Sequence, residues 1–336
     1  MNPFSKEQIA GQRLMIGFDG TAFNRELDIM IREWGLGGLI LFSRNLESPS
    51  QIRNLCSAVQ DCARSAGQPP LLIAIDQEGG QVARLKEPFT QFAGNPAMQG
   101  VTDAEYFGRI TAGELSGIGV NMNMAPVLDV SPDGFQGVMD GRIFGKDPHW
   151  VASLGGVVIE ELQRGGIMAV AKHFPGIGRT TLDSHIETPF VDASLGVLET
   201  TDLIPFREAI QRDVAGIMLS HIRYPAIDAE WPASLSAAVA SELLRNRMGY
   251  GGVIITDDLD MGAIRKHYGI ETSIGRIFQA DVDIALICHR GPDIAAAHGE
   301  MIRQAEQSAA AAEKSAAAVR RILRLKQKYL AWNFSE

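Results

Sequence analysis

Cysteine is scarce in this chain, with three residues, Cys56, Cys62 and Cys288, among 336. An odd number at those spacings suits neither a disulfide framework nor a zinc site, so reduced thiols in a cytosol are expected. Cations are short as well: 31 Lys and Arg face 40 Asp and Glu, for a net charge of -9 and a pI near 5.4. Without clustered Lys and Arg, neither nucleic acid nor an anionic membrane surface is an expected partner. No apolar run approaches the ~18 residues at which a membrane span becomes readable. The opening MNPFSKEQIAGQRLMIGF has no basic segment, long apolar stretch or small-residue cleavage site of the kind that marks a secretory signal. The expectation is a cytoplasmic monomer acting on a small molecule.

What is present is ordinary globular composition, 46% hydrophobic, enough to bury a large core. Short β-rich apolar runs occur at 13–18, 38–42, 71–76, 119–125, 167–173, 215–221, 252–257 and 284–288. Stretches with helical spacing lie between them, at 50–65, 102–116, 147–164, 199–212 and 236–247. Strand then helix, repeated about eight times, predicts an α/β fold with a parallel sheet closed into a (β/α)8 barrel. An open doubly wound sheet would alternate similarly, but no G-x-G-x-x-G follows the first strand. No linker divides the chain, so residues 1–336 are expected to form one domain. The Ala-rich, basic stretch 300–330 is its C-terminal helix, with Val319, Ile322, Leu323 and Leu330 packing inward and the Arg and Lys side chains in water.

In such a barrel the chemistry stands where strands end. Asp76, Gln77 and Glu78 end the third strand, Asp129 and then Arg142 follow the fourth, and Lys172-His173 close the fifth. Ser220-His221 close the sixth and Asp257-Asp258 the seventh. One carboxylate there is often only a helix cap; this many titratable groups on one rim point to a site. The stretch KHFPGIGRTTLDSH at 172–185 places a proline and two glycines in a loop able to approach a ligand closely. Asp183 and His185 end it, near enough for the carboxylate to orient the imidazole as an acid and base; a plain Asx turn is the alternative. Of the adjacent Asp257 and Asp258, alternation allows one to face the barrel axis. A retaining glycosidase needs a nucleophilic carboxylate and a proton donor, roles that Asp257 and His185 could divide. A metal hydrolase could use His173, His185, His221, Asp183 and Asp257, but H-x-H and H-E-x-x-H spacings are missing and Lys172 would repel a cation. No metal and no cofactor are expected.

These residues carry a resemblance. The pieces IDQEGGQVARL (75–85), NMAPVLDV (123–130), GRIFG (141–145), AKHFPG (171–176), DSH (183–185), SHIRYPAID (220–228), PASLS (232–236) and ITDDLDMGAI (255–264) resemble the family 3 glycoside hydrolases, in particular the single-domain bacterial β-N-acetylglucosaminidases. They run in the family's order over nearly the whole chain. The resemblance implies a (β/α)8 barrel that cleaves β-hexosaminides with retention through a covalent glycosyl-enzyme. It implies Asp257 as nucleophile, His185 as acid/base with Asp183 as its partner, and Asp76, Arg84, Arg142, Lys172 and His173 as the sugar pocket. The family's loop usually reads His-Phe-Pro-Gly-His-Gly-Asp-Thr, and here Ile177 and Arg179 replace the second histidine and the aspartate. Arg179 could then meet an anionic group on the substrate, such as a lactyl carboxylate.

The expected function is exo-hydrolysis of terminal β-linked N-acetylglucosamine, from peptidoglycan-derived muropeptides in cell-wall recycling. The alternatives are a β-glucosidase or phosphorolytic member of the same family, and a sugar-binding barrel without turnover. Intact Asp257, His185 and Asp183 weigh against the last, since binding alone demands neither nucleophile nor acid.

Overall fold

The computed structural model describes residues 4–180, 189–289 and 291–332. Eight parallel strands close into a barrel in chain order: β1 (Leu14–Ile16), β2 (Gly38–Leu41), β3 (Leu72–Ile75), β4 (Met122–Asn123), β5 (Met168–Phe174), β6 (Gly216–Leu219), β7 (Val253–Asp258) and β8 (Ile284–Ile287). β8 returns to β1, pairing Ala285 with Leu14. Each of the eight apolar runs holds one strand, with β5 and β7 running one residue past theirs. The fourth is much shorter than 119–125, because Pro126 has no N–H for a ladder; pairing with β5 resumes at Val127, opposite Lys172.

Alternation along the strands divides the core. Met15, Ile40, Leu72, Met122, Met168, Val170, Met218, Ile255 and Leu286 fill the barrel interior, while Leu14, Ile73, Ala171, Ile217, Ile254 and Ile287 pack outward against helices. Helices begin where the sequence supplies caps. Ser48 accepts from Gln51 N ahead of Pro49, and Asp147 accepts from His149 N ahead of Pro148. The helices Pro49–Ser65, Val101–Gly117 and Pro148–Arg164 fall on the stretches with helical spacing.

Two expectations about helices need correction. The segment 199–212 is split into Leu195–Thr200 and Leu203–Gln211. The stretch 300–330 spans the end of one helix, Pro292–Glu306, and all of another, Ala309–Tyr329, because Ser308 caps the second by accepting from Ala311 N. Nor are its cations all in water. Lys326 is fully buried and Arg321 is paired with Asp281 and Asp283. Ile322 and Leu325 join the interior cluster, so this last helix stoppers the N-terminal mouth of the barrel and leaves the other mouth open.

Candidate active site

The open mouth holds a cavity of about 440 Å³. Asp76, Glu78, Arg84, Arg142, Lys172, His173 and Asp257 line it, at the ends of β3, β4, β5 and β7.

The arrangement starts with Asn123, the last residue of β4. Its side-chain amide donates to Gln77 O at 3.0 Å and its carbonyl oxygen accepts from Gln77 N at 3.0 Å, which locks the main chain just past β3. Gln77 Oε1 in turn accepts from Arg84 N and Leu85 N, clamping the hairpin of Gln77–Gly79 and Val82–Ala83. With Gln77 held, Asp76 and Glu78 both reach the cavity, as period-two alternation requires.

Lys172, almost completely buried, stands between them, its Nζ 2.8 Å from Asp76 Oδ1 and 2.7 Å from Glu78 Oε1. Arg142 forks onto Glu78 with Nε at 2.9 Å and Nη2 at 2.7 Å, and Arg84 Nη2 lies 3.2 Å from Asp76 Oδ2. The result is an alternating chain of charge, Arg84, Asp76, Lys172, Glu78, Arg142. Burial pushes the Asp76 carboxyl up, but Lys172 and Arg84 outweigh it and bring it down to about 2. Glu78 is likewise lowered, against its burial, by Lys172 and Arg142. Such fixed charges can hold several sugar hydroxyls at once.

His173 is oriented by Asp129, its Nδ1–H donating to Oδ2 at 2.8 Å; Asp129 Oδ1 also accepts from Ile177 N at 2.8 Å. Asp257 sits opposite. Burial raises its carboxyl, yet His221, His173, the Asp258 N–H and Lys172 pull it below the ordinary aspartate range. A half-buried carboxylate held in its anionic form can attack an electrophilic carbon or stabilise a cation.

Asp258 departs from the expectation that only one of the pair faces the cavity, since both line it. The register against β8 shifts between Ile255 and Asp258, which breaks the strict alternation. Asp258 Oδ1 accepts from Cys288 N and Asp260 N, and burial together with Asp260 and Asp257 raises its carboxyl to about 6. Asp258, Asp260 and His289 bring their ligating atoms within 4.8 Å of one another, the one group of metal-ligand type among the described residues. Of the histidines weighed as ligands from sequence, two are otherwise engaged, His173 on Asp129 and His221 on Ser234 Oγ and Asp258 O, and His185 lies outside the described residues.

Asp183 and His185 lie outside the described residues. Arg179, expected as a possible contact for an anionic substrate, is committed to Asp202 instead. The glycines of that loop allow close packing within the protein. A Cβ on Gly178 would stand 2.1 Å from Val130 O, and one on Gly176, whose φ is +127°, would stand 2.9 Å from Asp202 Cβ. Glu78, Asp129 and His221 were read as rim residues at strand ends but given no place in the expected pocket. Their roles are set by partners distant in the chain: Glu78 by Lys172 and Arg142, Asp129 by His173, and His221 by Ser234 and Asp258.

The glycosyl hydrolase family 3 N-terminal domain matches residues 6–325. A beta-hexosaminidase of Nitrosomonas eutropha is 36% identical over 291 residues, covering 84% of this chain and 82% of that protein. Beta-hexosaminidase A of Pseudoalteromonas piscicida is 36% identical over 321 residues, 85% of this chain, which spans only 54% of that longer protein. A solved family 3 beta-N-acetylglucosaminidase from Paenibacillus sp. superposes with a TM-score of 0.94 at 36% identity, covering 99% of this chain and 64% of that one.

Proposed function

The chain belongs to glycosyl hydrolase family 3, and on that premise we propose that it removes terminal β-linked N-acetylglucosamine by a retaining, two-step displacement. The observation that carries this reading is Asp257, half-buried in the cavity wall yet held anionic across from the charge chain of Asp76, Lys172 and Glu78.

In the first step an Asp257 carboxylate oxygen attacks the anomeric carbon. The bond from that carbon to the leaving oxygen breaks, and His185 supplies the proton that oxygen takes up. In the second step His185, oriented by Asp183, removes a proton from water; the water oxygen attacks the anomeric carbon and Asp257 departs as carboxylate. Asp76, Arg84, Arg142, Lys172 and His173 hold the sugar, with Glu78 fixing Lys172 and Arg142. Positive charge developing on the ring is stabilised by anionic Asp257, in a site already organised before substrate arrives.

The substrate class follows from relatives named beta-hexosaminidase and beta-N-acetylglucosaminidase. Within it we propose muropeptides of cell-wall recycling, acted on in the cytoplasm, where the three free, buried cysteines would stay reduced. The first test is hydrolysis of 4-nitrophenyl N-acetyl-β-glucosaminide beside the corresponding β-glucoside. Release from the acetamido sugar alone, lost in Asp257→Ala, is expected; equal rates on both sugars would overturn the specificity. Faster cleavage of N-acetylglucosaminyl-muramyl disaccharide than of chitobiose is the expected result for the finer substrate.

A further inference from the structure

His221 stands two residues past the end of β6 and is buried, with 1% of its surface exposed. Its Nε2 lies 2.7 Å from Asp258 O, and because a carbonyl can only accept, that nitrogen carries a proton. Its Nδ1 lies 2.7 Å from Ser234 Oγ. Ser234 is itself buried, and its N–H donates to Ser220 O at 2.9 Å. The ring is thus held at both nitrogens, which fixes its direction.

What it holds is the irregular end of β7. β8 gives Leu286 N–H to Thr256 Oγ1 at 3.0 Å and Cys288 N–H to Asp258 Oδ1 at 2.9 Å, side-chain oxygens where a regular parallel ladder would present carbonyls. The register shift between Ile255 and Asp258 accompanies this exchange. With Cys288 N–H on the Asp258 side chain, the Asp258 carbonyl takes its donor from His221 instead. The Asp258 N–H in turn donates to Asp257 Oδ1 at 2.8 Å. Burial raises the Asp257 carboxyl, and His221 leads the groups that lower it, so the ring stands near the nucleophile as well as against its neighbour's main chain.

We propose that His221, set by Ser234, is a positioning residue for the nucleophile: by holding the Asp258 carbonyl it fixes the main chain whose N–H pins Asp257 Oδ1, and so presents Oδ2 to the anomeric carbon. The proposal rests on the glycosidase reading above. An oxygen that already accepts a hydrogen bond is the weaker nucleophile, which assigns the attack to Oδ2. Its direction matters, since a misplacement of ~1 Å at a reacting group can cost on the order of a hundredfold in rate. The sugar-holding charges are borne by other residues, so loss of His221 should slow the attack and leave sugar affinity alone.

The test compares His221→Leu, which removes the donor, with His221→Gln, whose amide N–H reaches the place of the Nε2–H without an imidazole. In kcat/KM on 4-nitrophenyl N-acetyl-β-glucosaminide, His221→Leu is expected to lose roughly a hundredfold and His221→Gln to recover to within about tenfold of wild type. Inhibition by N-acetylglucosamine should stay at the wild-type level in both. Rescue by the donor-keeping variant, with sugar affinity intact, is a result that a merely structural role would not give. Equal losses in the two variants, no loss in either, or inhibition that weakens in step with kcat/KM would overturn the proposal. If His221→Leu does not fold, Ser234→Ala takes its place; it keeps the imidazole but removes the partner of Nδ1, and should lose about fivefold with inhibition unchanged, whereas full activity would overturn the proposal. Asp257→Ala separates the failures. A wild-type protein inactive on this substrate, or one whose activity survives Asp257→Ala, sinks the glycosidase reading. An active protein that needs Asp257 but not His221 sinks only the positioning role.

Discussion

Glu78 does more in this site than its place in the sequence announces. It is the shared partner of Lys172 and Arg142, and its carboxylate is almost wholly enclosed. Removing one member of a buried charge set strands the others, at a cost of roughly 3–5 kcal/mol. Glu78→Gln should therefore lower the thermal midpoint and weaken inhibition by N-acetylglucosamine together; a variant that unfolds normally and binds the sugar normally would show that Glu78 is incidental. Asp76 makes the complementary point through pH. Its carboxyl is lowered to about 2, below its unfolded range, so its ion pairs contribute fully above about pH 4 and fade as pH falls toward 2. Unfolding of wild type and Asp76→Asn should differ at neutral pH and converge only in strong acid.

At the scale of elements, the helix Ala309–Tyr329 carries a charge where a stopper would ordinarily be apolar. Among the described residues Lys326 Nζ donates to two neutral acceptors, Gln12 Oε1 at 2.7 Å and Gly37 O at 3.0 Å, and burial lowers it to about 7. A lysine depressed below its unfolded value binds fewer protons folded than unfolded between about pH 7 and 10.5, so its effect on stability improves as pH rises through that window. Lys326→Met should accordingly be more stabilising relative to wild type at pH 6 than at pH 10, as followed by denaturant midpoints at the two pH values. A constant difference would mean that Lys326 stays protonated in the folded protein across that range, as it is in the unfolded chain. The loop after β5 is constrained in the opposite way, by absence of side chain. Gly178 has the Val130 carbonyl where a Cβ would go, so Gly178→Ala should cost roughly 1–3 kcal/mol by overpacking and shift the loop after β5. The thermal midpoint and kcat/KM on 4-nitrophenyl N-acetyl-β-glucosaminide should both fall.

Across the whole molecule, the two ends of the barrel divide stability from chemistry. The charge chain occupies the mouth where strands end, and the last helix closes the other with Ile322 and Leu325 against the interior methionines. Ile322→Ala should lower stability by about 2–5 kcal/mol while kcat/KM of the folded fraction stays near wild type. A matched fall in kcat/KM would show that the stopper and the site are coupled.

Much of this was readable in the chain itself. The eight strands and most of the long helices follow from apolar periodicity, because alternation and helical spacing are local properties that one face of buried surface imposes. The rim residues Asp76, Arg84, Arg142, Lys172, His173 and Asp257 were readable too, since a barrel that buries its strands leaves polar strand ends only one place to gather. Tertiary structure alone decided how those groups are paired. Glu78 meets Arg142 across 64 residues, and Arg179 turns from substrate to Asp202, 23 residues on. Lys326 enters the core against Gln12, 314 residues away. Charge interactions depend on distance in space and on loss of water, and neither quantity is written along a sequence until the fold brings the partners together.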